Sequence, residues 1–393
     1  MKCSSASPTP PPLPSPPPLP STAKTLQTAI TAVSNFLLNA RSTLILSGAG
    51  ISVASGLPDY RGPRGTYTLN KDYKPIFYGD FVHKDGMRRR YWARSFLGWR
   101  GVEKVVPNKT HAAVGRLWEG GWVGGVITQN VDSLHTTSHP TMPITNLHGL
   151  LSTTTCLTCR TPLPRPLFQQ HLHSLNPTWS TFLSQIRSSP DIPIKRRPDG
   201  DIDVPDVQYE TFRYPPCQIC LTNPTFNGMI KVDSDGAIRP IEGDANVPGI
   251  IKPTLVFFGE NLQDEVKREA EDKVDAADSV LVIGSSLATY SAWRLVKRAK
   301  DQRKKVGIVN LGGVRGEDAF WDDGEGKAAA RYRLGDGTDG VRVEFDAGDV
   351  LEGALEILER IDGNRANRKA TLEGEGATRQ EIELREVEIA TAR

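Results

Sequence analysis

Charge of one sign has almost no surplus in this 393-residue sequence: 48 Lys and Arg stand against 46 Asp and Glu, a formal net charge of +2. Such a balance supplies no general attraction for DNA, RNA or an anionic membrane surface, so neither nucleic acid nor a membrane is expected as a partner. No run of about 18 apolar residues occurs, which excludes a bilayer-spanning helix. Cysteine is scarce. Five residues are too few for a disulfide scaffold of this length, and four of them form two CxxC pairs, the pattern of metal ligands in a reducing compartment. Acidic residues are missing altogether before Asp59, a stretch whose only basic residues are Lys2, Lys24 and Arg41.

Proline, by contrast, is concentrated. Residues 7–20 (SPTPPPLPSPPPLP) hold nine prolines, which lack the amide donor that helices and sheet ladders need, so residues 1–21 are read as a leader in which no fold begins. Its lack of acids and its many hydroxyls suit an organellar presequence, whereas its few arginines and many prolines do not. The expected destination is the mitochondrial matrix, with cytoplasm or nucleus as the alternative.

From Thr22 the apolar residues Leu26, Ile30, Val33 and Leu37 recur at helical spacing. STLILSGAGIS (42–52), GGVITQN (124–130), SVLVIGSS (279–286) and KVGIVNLG (305–312) are Val- and Ile-rich runs ending in small or polar residues, the mark of buried parallel strands with functional loops at their carboxyl ends. VRVEF (341–345) reads as a further strand and DVLEGALEILERI (349–361) as a helix. Residues 160–252 differ: they read as loop-rich, with prolines at short intervals. The fold class expected is α/β, a Rossmann-like doubly wound parallel sheet with a smaller zinc-binding module inserted. Residues 22–150 and 251–361 are expected to form the sheet domain, 151–250 the module with its long insertions, and 362–393 a charged tail.

Three groups of residues carry chemistry. Gly48 and Gly50 after the first strand let a backbone turn tightly against a pyrophosphate, with the following helix aiming its amino end at the phosphates. The third glycine of the usual dinucleotide fingerprint is replaced by Val53, and no acid follows about 20 residues on, which disfavours an ordinary dehydrogenase. Cys156, Cys159, Cys217 and Cys220 can close a tetrahedral four-thiolate zinc site, and a closed site staples structure without doing chemistry. The 57 residues between the pairs are long for a zinc ribbon. Gln129, Asn130 and Asp132 stand where a buried strand emerges, and His148 lies shortly before the first CxxC.

These segments resemble, in order, the motif series of the sirtuins: GAGISVASGLPDYRG (48–62), PNKTHAAV (107–114), TQNVDSLH (128–135), LHG (147–149), the two CxxC pairs, IKPTLVFFGE (251–260), GSSLATYSAWR (284–294) and VNLG (309–312). DYR at 59–61, RYWARSFLGW (90–99) and LNPTW (175–179) are similar to class II and its mitochondrial sirtuin-four subgroup. The resemblance implies an NAD-dependent protein-lysine deacylase, acting as a monomer on acylated-lysine protein substrates with NAD and one structural zinc. It implies that Gly48, Ala49, Gly50 and Ser52 hold the diphosphate and adjoining ribose, and that Asp59, Tyr60 and Arg61 lie on a flexible cofactor loop. Gln129, Asn130 and Asp132 would line the nicotinamide-ribose pocket, Asn130 and Asp132 acting with the general base His148. Gly284, Ser285 and Ser286, then Asn310, Leu311 and Gly312, would hold the adenosine half, with Ala347 as the last backbone contact. Val256, Phe257, Phe258, Gly259 and Glu260 would pair with the substrate peptide as an added strand.

Class II members that prefer acidic acyl chains place a Tyr and an Arg after the DYR loop. Here GTYTLNKDYKP (65–75) has Tyr67 without an arginine, so acetyl or longer neutral chains are expected. The alternative reading is a protein mono-ADP-ribosyltransferase using the same NAD site.

Overall fold

The computed structural model describes residues 21, 23–70, 73, 75–188, 195–204, 207–226, 228–240, 247–321 and 336–374. The prolines of 7–20 and the tail beyond 374 lie outside the described residues. In chain order the strands are β1 (Thr43–Ser47), β2 (Val123–Thr128), β3 (Ile144–Asn146), β4 (Thr153–Cys156), β5 (Pro162–Pro164), β6 (Lys195–Arg196), β7 (Ile202–Asp203), β8 (Ile251–Pro253), β9 (Ser279–Ile283), β10 (Lys305–Val309) and β11 (Gly340–Val343). Six of them form one sheet in the order β11-β10-β9-β1-β2-β3, and every pairing in it is parallel. The expected doubly wound sheet is borne out. β3, too short to stand out in the sequence, extends it by one strand.

Strand alternation splits the core into two layers. Ile45, Leu281 and Ile283 pack with Ala29, Val33, Phe36, Leu351 and Leu355, from the helices Leu26–Leu38 and Ala347–Gly374. Leu44, Leu46, Val280 and Val282 point the other way, onto Ala270, Val274, Leu295 and Val296 of the helices Asp264–Ala276 and Tyr290–Asp301. Both faces are thus covered, which is why these strands are apolar throughout rather than alternating. The first helix starts on a capping box between Thr25 and Thr28. The last continues past Ile361 to Gly374, into the segment read as a tail.

The region 160–252 departs from the loop-rich reading. Arg165–Leu175 and Pro177–Ser188 are helices, and Pro166 and Pro177 sit at their first turns, where a missing amide costs nothing. Prolines that punctuate loops elsewhere here start helices. Phe168, Leu172, Leu175, Trp179, Leu183 and Ile186 join Trp92, Phe96 and Trp99 of the helix Asp85–Glu103 and the cysteines in a single apolar cluster. Fully buried Arg165 lies over the rings of Trp92 and Trp99, 5.2 and 4.8 Å from their centroids, and donates to Ser95 Oγ at 2.9 Å. The insertion is therefore part of a core, not a fringe of loops. Beside it β5-β4-β8 make a small antiparallel sheet, and β6 and β7 a two-stranded ribbon.

Candidate functional site

Strand order reverses between β1 and β9, and ligands of open α/β sheets bind at such switch points, outside the strands' carboxyl ends. Gly48, Ala49 and Gly50 follow β1 there, with Gly284, Ser285 and Ser286 after β9, Asn310, Leu311 and Gly312 after β10, Gln129, Asn130 and Asp132 after β2, and Ala347 beyond β11. One edge of the sheet collects them all. The two turns at the switch point are in direct contact: Gly50 N–H donates to the Gly284 carbonyl at 2.9 Å, and a Cβ on Gly50 would lie 2.8 Å from that oxygen. Gly284 itself has φ +58°, where side chains are disfavoured. After Gly48 the helix expected to follow the glycine turn is a 3₁₀ helix, Ala49–Ser55.

Polar side chains at these strand ends are linked. Ser52 Oγ donates to Asp132 Oδ2 at 2.7 Å, and Asn130 Nδ2 lies 3.1 Å from both Ser52 Oγ and the Gly48 carbonyl. Burial raises the Asp132 carboxyl pKa, opposed by the Leu134 amide and Ser52 hydroxyl bonded to it. Asn130 Oδ1 is buried with no protein partner, an acceptor facing no donor of its own chain. Gln129 Nε2 donates to Ser285 Oγ at 2.7 Å, bridging β2 to β9. Such an arrangement of tight glycine turns with a spare buried acceptor fits a dinucleotide with its ribose hydroxyls.

His148 follows β3, and its main-chain carbonyl accepts the Val256 N–H at 2.8 Å. Its Nδ1 lies 3.2 Å from the Gln129 carbonyl and its Nε2 2.8 Å from Ser291 Oγ. A carbonyl can only accept, so Nδ1 bears the proton and Nε2 keeps the lone pair in the neutral ring. Burial pushes the imidazole pKa down to about 4, against the Gln129 bond that raises it. At neutral pH the ring is an unprotonated base. The next residue, Gly149, has φ +73°, and a Cβ there would meet the Thr254 carbonyl at 2.2 Å, so only glycine lets the chain turn past it.

Asp59, Tyr60 and Arg61 lie in a loop closed by the Gly62 N–H bond to Asp59 Oδ1 at 3.0 Å. Tyr60, Tyr67 and Tyr73 form a run of neighbouring rings. Arg61 stands over Tyr67, its guanidinium carbon 5.1 Å from the centroid, and Arg197 stands over Tyr73 at 3.8 Å. The tyrosine that has no arginine after it in sequence thus has one in space. Leu57 and Pro58, just before this loop, line a small cavity with Gly98, Val102, Arg197, Gly200 and Ile202, so the insertion reaches the segment that leads into Asp59–Arg61.

The stretch Val256–Glu260 differs from an open strand. Glu260 N–H donates to the Phe257 carbonyl at 3.0 Å with Gly259 at φ +77°, which makes a turn, and Phe258 forms a single parallel bridge with Phe77. Glu260 pairs with buried Lys252 at 3.0 Å.

The four cysteine sulfurs lie within 4.8 Å of one another, Cys156 to Cys220 and Cys159 to Cys217 each at 3.6 Å. Sulfurs at the corners of a tetrahedron about 2.3 Å from one zinc stand about 3.8 Å apart, whereas a disulfide would bring two to about 2.05 Å. The geometry fits zinc. Cys156 ends β4, and the Cys217 N–H is held by the Gly249 carbonyl at 2.8 Å, so residues from both ends of the insertion meet.

Fold and site together define a doubly wound nucleotide-binding protein with a four-cysteine metal module. The Sir2 family model matches residues 48–291. The NAD-dependent protein deacylase SIR4 of Batrachochytrium dendrobatidis is 38% identical over 302 residues, 75% of this chain and 89% of that protein. The NAD-dependent protein deacylase SRT2 of Arabidopsis thaliana is 36% identical, over 70% and 67%. The mitochondrial NAD-dependent protein lipoamidase sirtuin-4 of Bos taurus is 33% identical, over 74% and 80%. A structure described under the structural basis for the mechanism and regulation of Sir2 enzymes superposes with a TM-score of 0.51 at 24% identity, covering 85% of this chain and 99% of that one, a likeness of fold. The chain belongs to the Sir2 family.

Proposed function

We propose that His148 is the general base of an NAD-dependent protein-lysine deacylase. The chain is an enzyme of that kind, using NAD and zinc and acting on acylated proteins. The observation that carries the role of His148 is its fixed tautomer: Nδ1 bonded to the carbonyl of Gln129, the residue before Asn130, leaves a lone pair on Nε2 to take a proton. Bound NAD would supply the electrophilic ribose carbon for the acyl oxygen, with nicotinamide as the leaving group. His148 would take a proton from a ribose hydroxyl at Nε2, a task worth about 10² to 10⁴ in rate. Asn130 offers its spare Oδ1 to that ribose, and Ser52 keeps Asp132 oriented. Gly48 to Ser52 and Gly284 to Ser286 hold the diphosphate side, Asn310 to Gly312 and Ala347 the adenosine. Cys156, Cys159, Cys217 and Cys220 hold the zinc, which stiffens residues 151–250 against the domain of 22–150 and 251–361. Val256 to Glu260 receive the peptide, and the preferred acyl groups are acetyl or longer neutral chains.

The acid-free stretch before Asp59 and the mitochondrial designation of sirtuin-4 relatives support import into the matrix, where the enzyme works as a monomer. A fluorescent fusion that stays in the cytosol would remove the first point, and a dimer in sedimentation the second. Incubation with NAD⁺ and a panel of acetyl, longer neutral and acidic acyl-lysine peptides, following nicotinamide and peptide mass, tests the reaction. Loss of the acyl mass supports deacylation. Gain of an ADP-ribose mass on the peptide overturns it in favour of ADP-ribosyl transfer.

A further inference from the structure

The helix Tyr290–Asp301 begins beside His148, and two residues of its start reach the strand ends. Thr289 Oγ1, at the N-cap, donates to Gln129 Oε1 at 3.2 Å. Ser291, in the first turn, places its Oγ 2.8 Å from His148 Nε2. A helical serine ordinarily bonds water or the carbonyl four residues back. This one meets the ring nitrogen that lacks a proton, so the hydroxyl must donate.

We propose that Ser291 is a positioning residue for His148, its hydroxyl holding the imidazole with the Nε2 lone pair directed toward the start of this helix. The inference rests on the reading of His148 as the base. Both ring nitrogens are then accounted for: the Gln129 carbonyl accepts from Nδ1 and Ser291 donates to Nε2, so rotation or a change of tautomer breaks two hydrogen bonds at once. The same residue, Gln129, anchors both ends of the arrangement, through its carbonyl to His148 and through its side chain to Thr289 and Ser285. A donor on Nε2 also favours the neutral ring, in the same direction as the burial that dominates at this site. Ser291 is half-buried and its neighbour Tyr290 is 64% exposed, so the serine stands where the helix start meets solvent, and a hydroxyl there can yield to an incoming one.

The test uses the full zinc-loaded protein with ¹⁵N-labelled histidine, comparing parent, Ser291→Ala and Ser291→Thr at matched melting temperature. In the ligand-free parent the His148 ring should show a protonated Nδ1 and an unprotonated Nε2. Ser291→Ala should move both resonances toward the averaged pattern of a ring exchanging tautomers, while Ser291→Thr, which keeps the hydroxyl, should retain the parental pattern. With NAD⁺ and acetyl-lysine peptide, Ser291→Ala should lower kcat about five- to tenfold, the rate equivalent of one neutral hydrogen bond, and leave KM for NAD⁺ within about twofold. Ser291→Thr should recover most of the rate. In a His148→Ala background the alanine at 291 should cost nothing more, because two residues acting as one unit are not additive. Parental ring resonances in Ser291→Ala, or a loss that persists undiminished without His148, overturns the proposal. A His148→Ala protein as fast as the parent would instead remove His148 as the base, and the ring resonances would still decide whether Ser291 holds it.

Discussion

His148 and Val256 are joined through the backbone: the carbonyl of one accepts the amide of the other at 2.8 Å. The residue whose ring spans Gln129 and Ser291 is thereby fixed to the segment assigned to the substrate peptide. A shift of either segment moves the other, so on the proposed roles peptide placement and base placement would be one geometric event.

Replacing His148 by Ala should separate binding from turnover. The contacts proposed for the cofactor come from other strand ends, so NAD⁺ affinity by calorimetry should change by less than about threefold while deacylation falls about 10²- to 10⁴-fold. With the imidazole pKa at about 4, the base is available at every higher pH. The acid limb of kcat/KM should therefore fall near pH 4 instead of the ordinary imidazole value of about 6.5.

Cys156→Ala and Cys217→Ala should each abolish stoichiometric zinc and lower the melting temperature. The quartet joins β4 to the segment before β8 and lies in the cluster that includes the insertion helices, so the effect should reach beyond the module. Metal analysis with a melting curve checks this; a variant that keeps one zinc per chain and the parental melt is incompatible with these ligands.

Phe168→Ala tests the structural standing of the insertion. Phe168 is fully buried and its ring centroid lies 4.6 Å from that of Trp92. Truncation should cost about 3–5 kcal/mol in denaturant unfolding, the usual loss for a buried aromatic. A cost below about 1 kcal/mol would mean that the helices 165–188 are dispensable to the core.

Stability should decline in mild acid. Burial lowers His111 to about 4 and His135 to about 3, the latter with His111 and His139 adding to the effect, and His148 is lowered likewise. Below about 6.5 the unfolded chain takes protons that the folded one refuses, so stability is complete above that pH and is lost as pH falls toward 4. Asp201, raised to about 7 first by burial and then by Asp199, works in the opposite sense, but three histidines outweigh it. Melting temperatures at pH 7.5, 6 and 5 should fall in that order, and His135→Gln should show a shallower decline. An unchanged melt across this range would contradict the buried neutral histidines.

Much was legible beforehand because the relevant signals are local. Apolar runs such as Leu44–Leu46 and Val280–Ile283 declare buried parallel strands by their unbroken hydrophobicity, and the CxxC spacing declares ligand pairs because two thiolates so close can share one ion. The insertion was misjudged for an equally physical reason. Proline marks a loop or a helix start with the same letter, and only the burial of Phe168, Leu172 and Trp179 against Trp92 and Phe96 selects the helix.

By itself the amino-acid order determined five of the six strands of the parallel sheet, the identity of the cysteine quartet and the presence of a histidine near a strand end, all consequences of short-range pattern. Tertiary structure alone decided that Arg61 and Arg197 stand over Tyr67 and Tyr73, that Val256–Glu260 turns back on itself, and that Ser291 meets His148 across 143 residues of chain. Those contacts depend on strand order and helix placement, which arise when distant segments bury their apolar faces together, and no local periodicity encodes which distant segment will arrive.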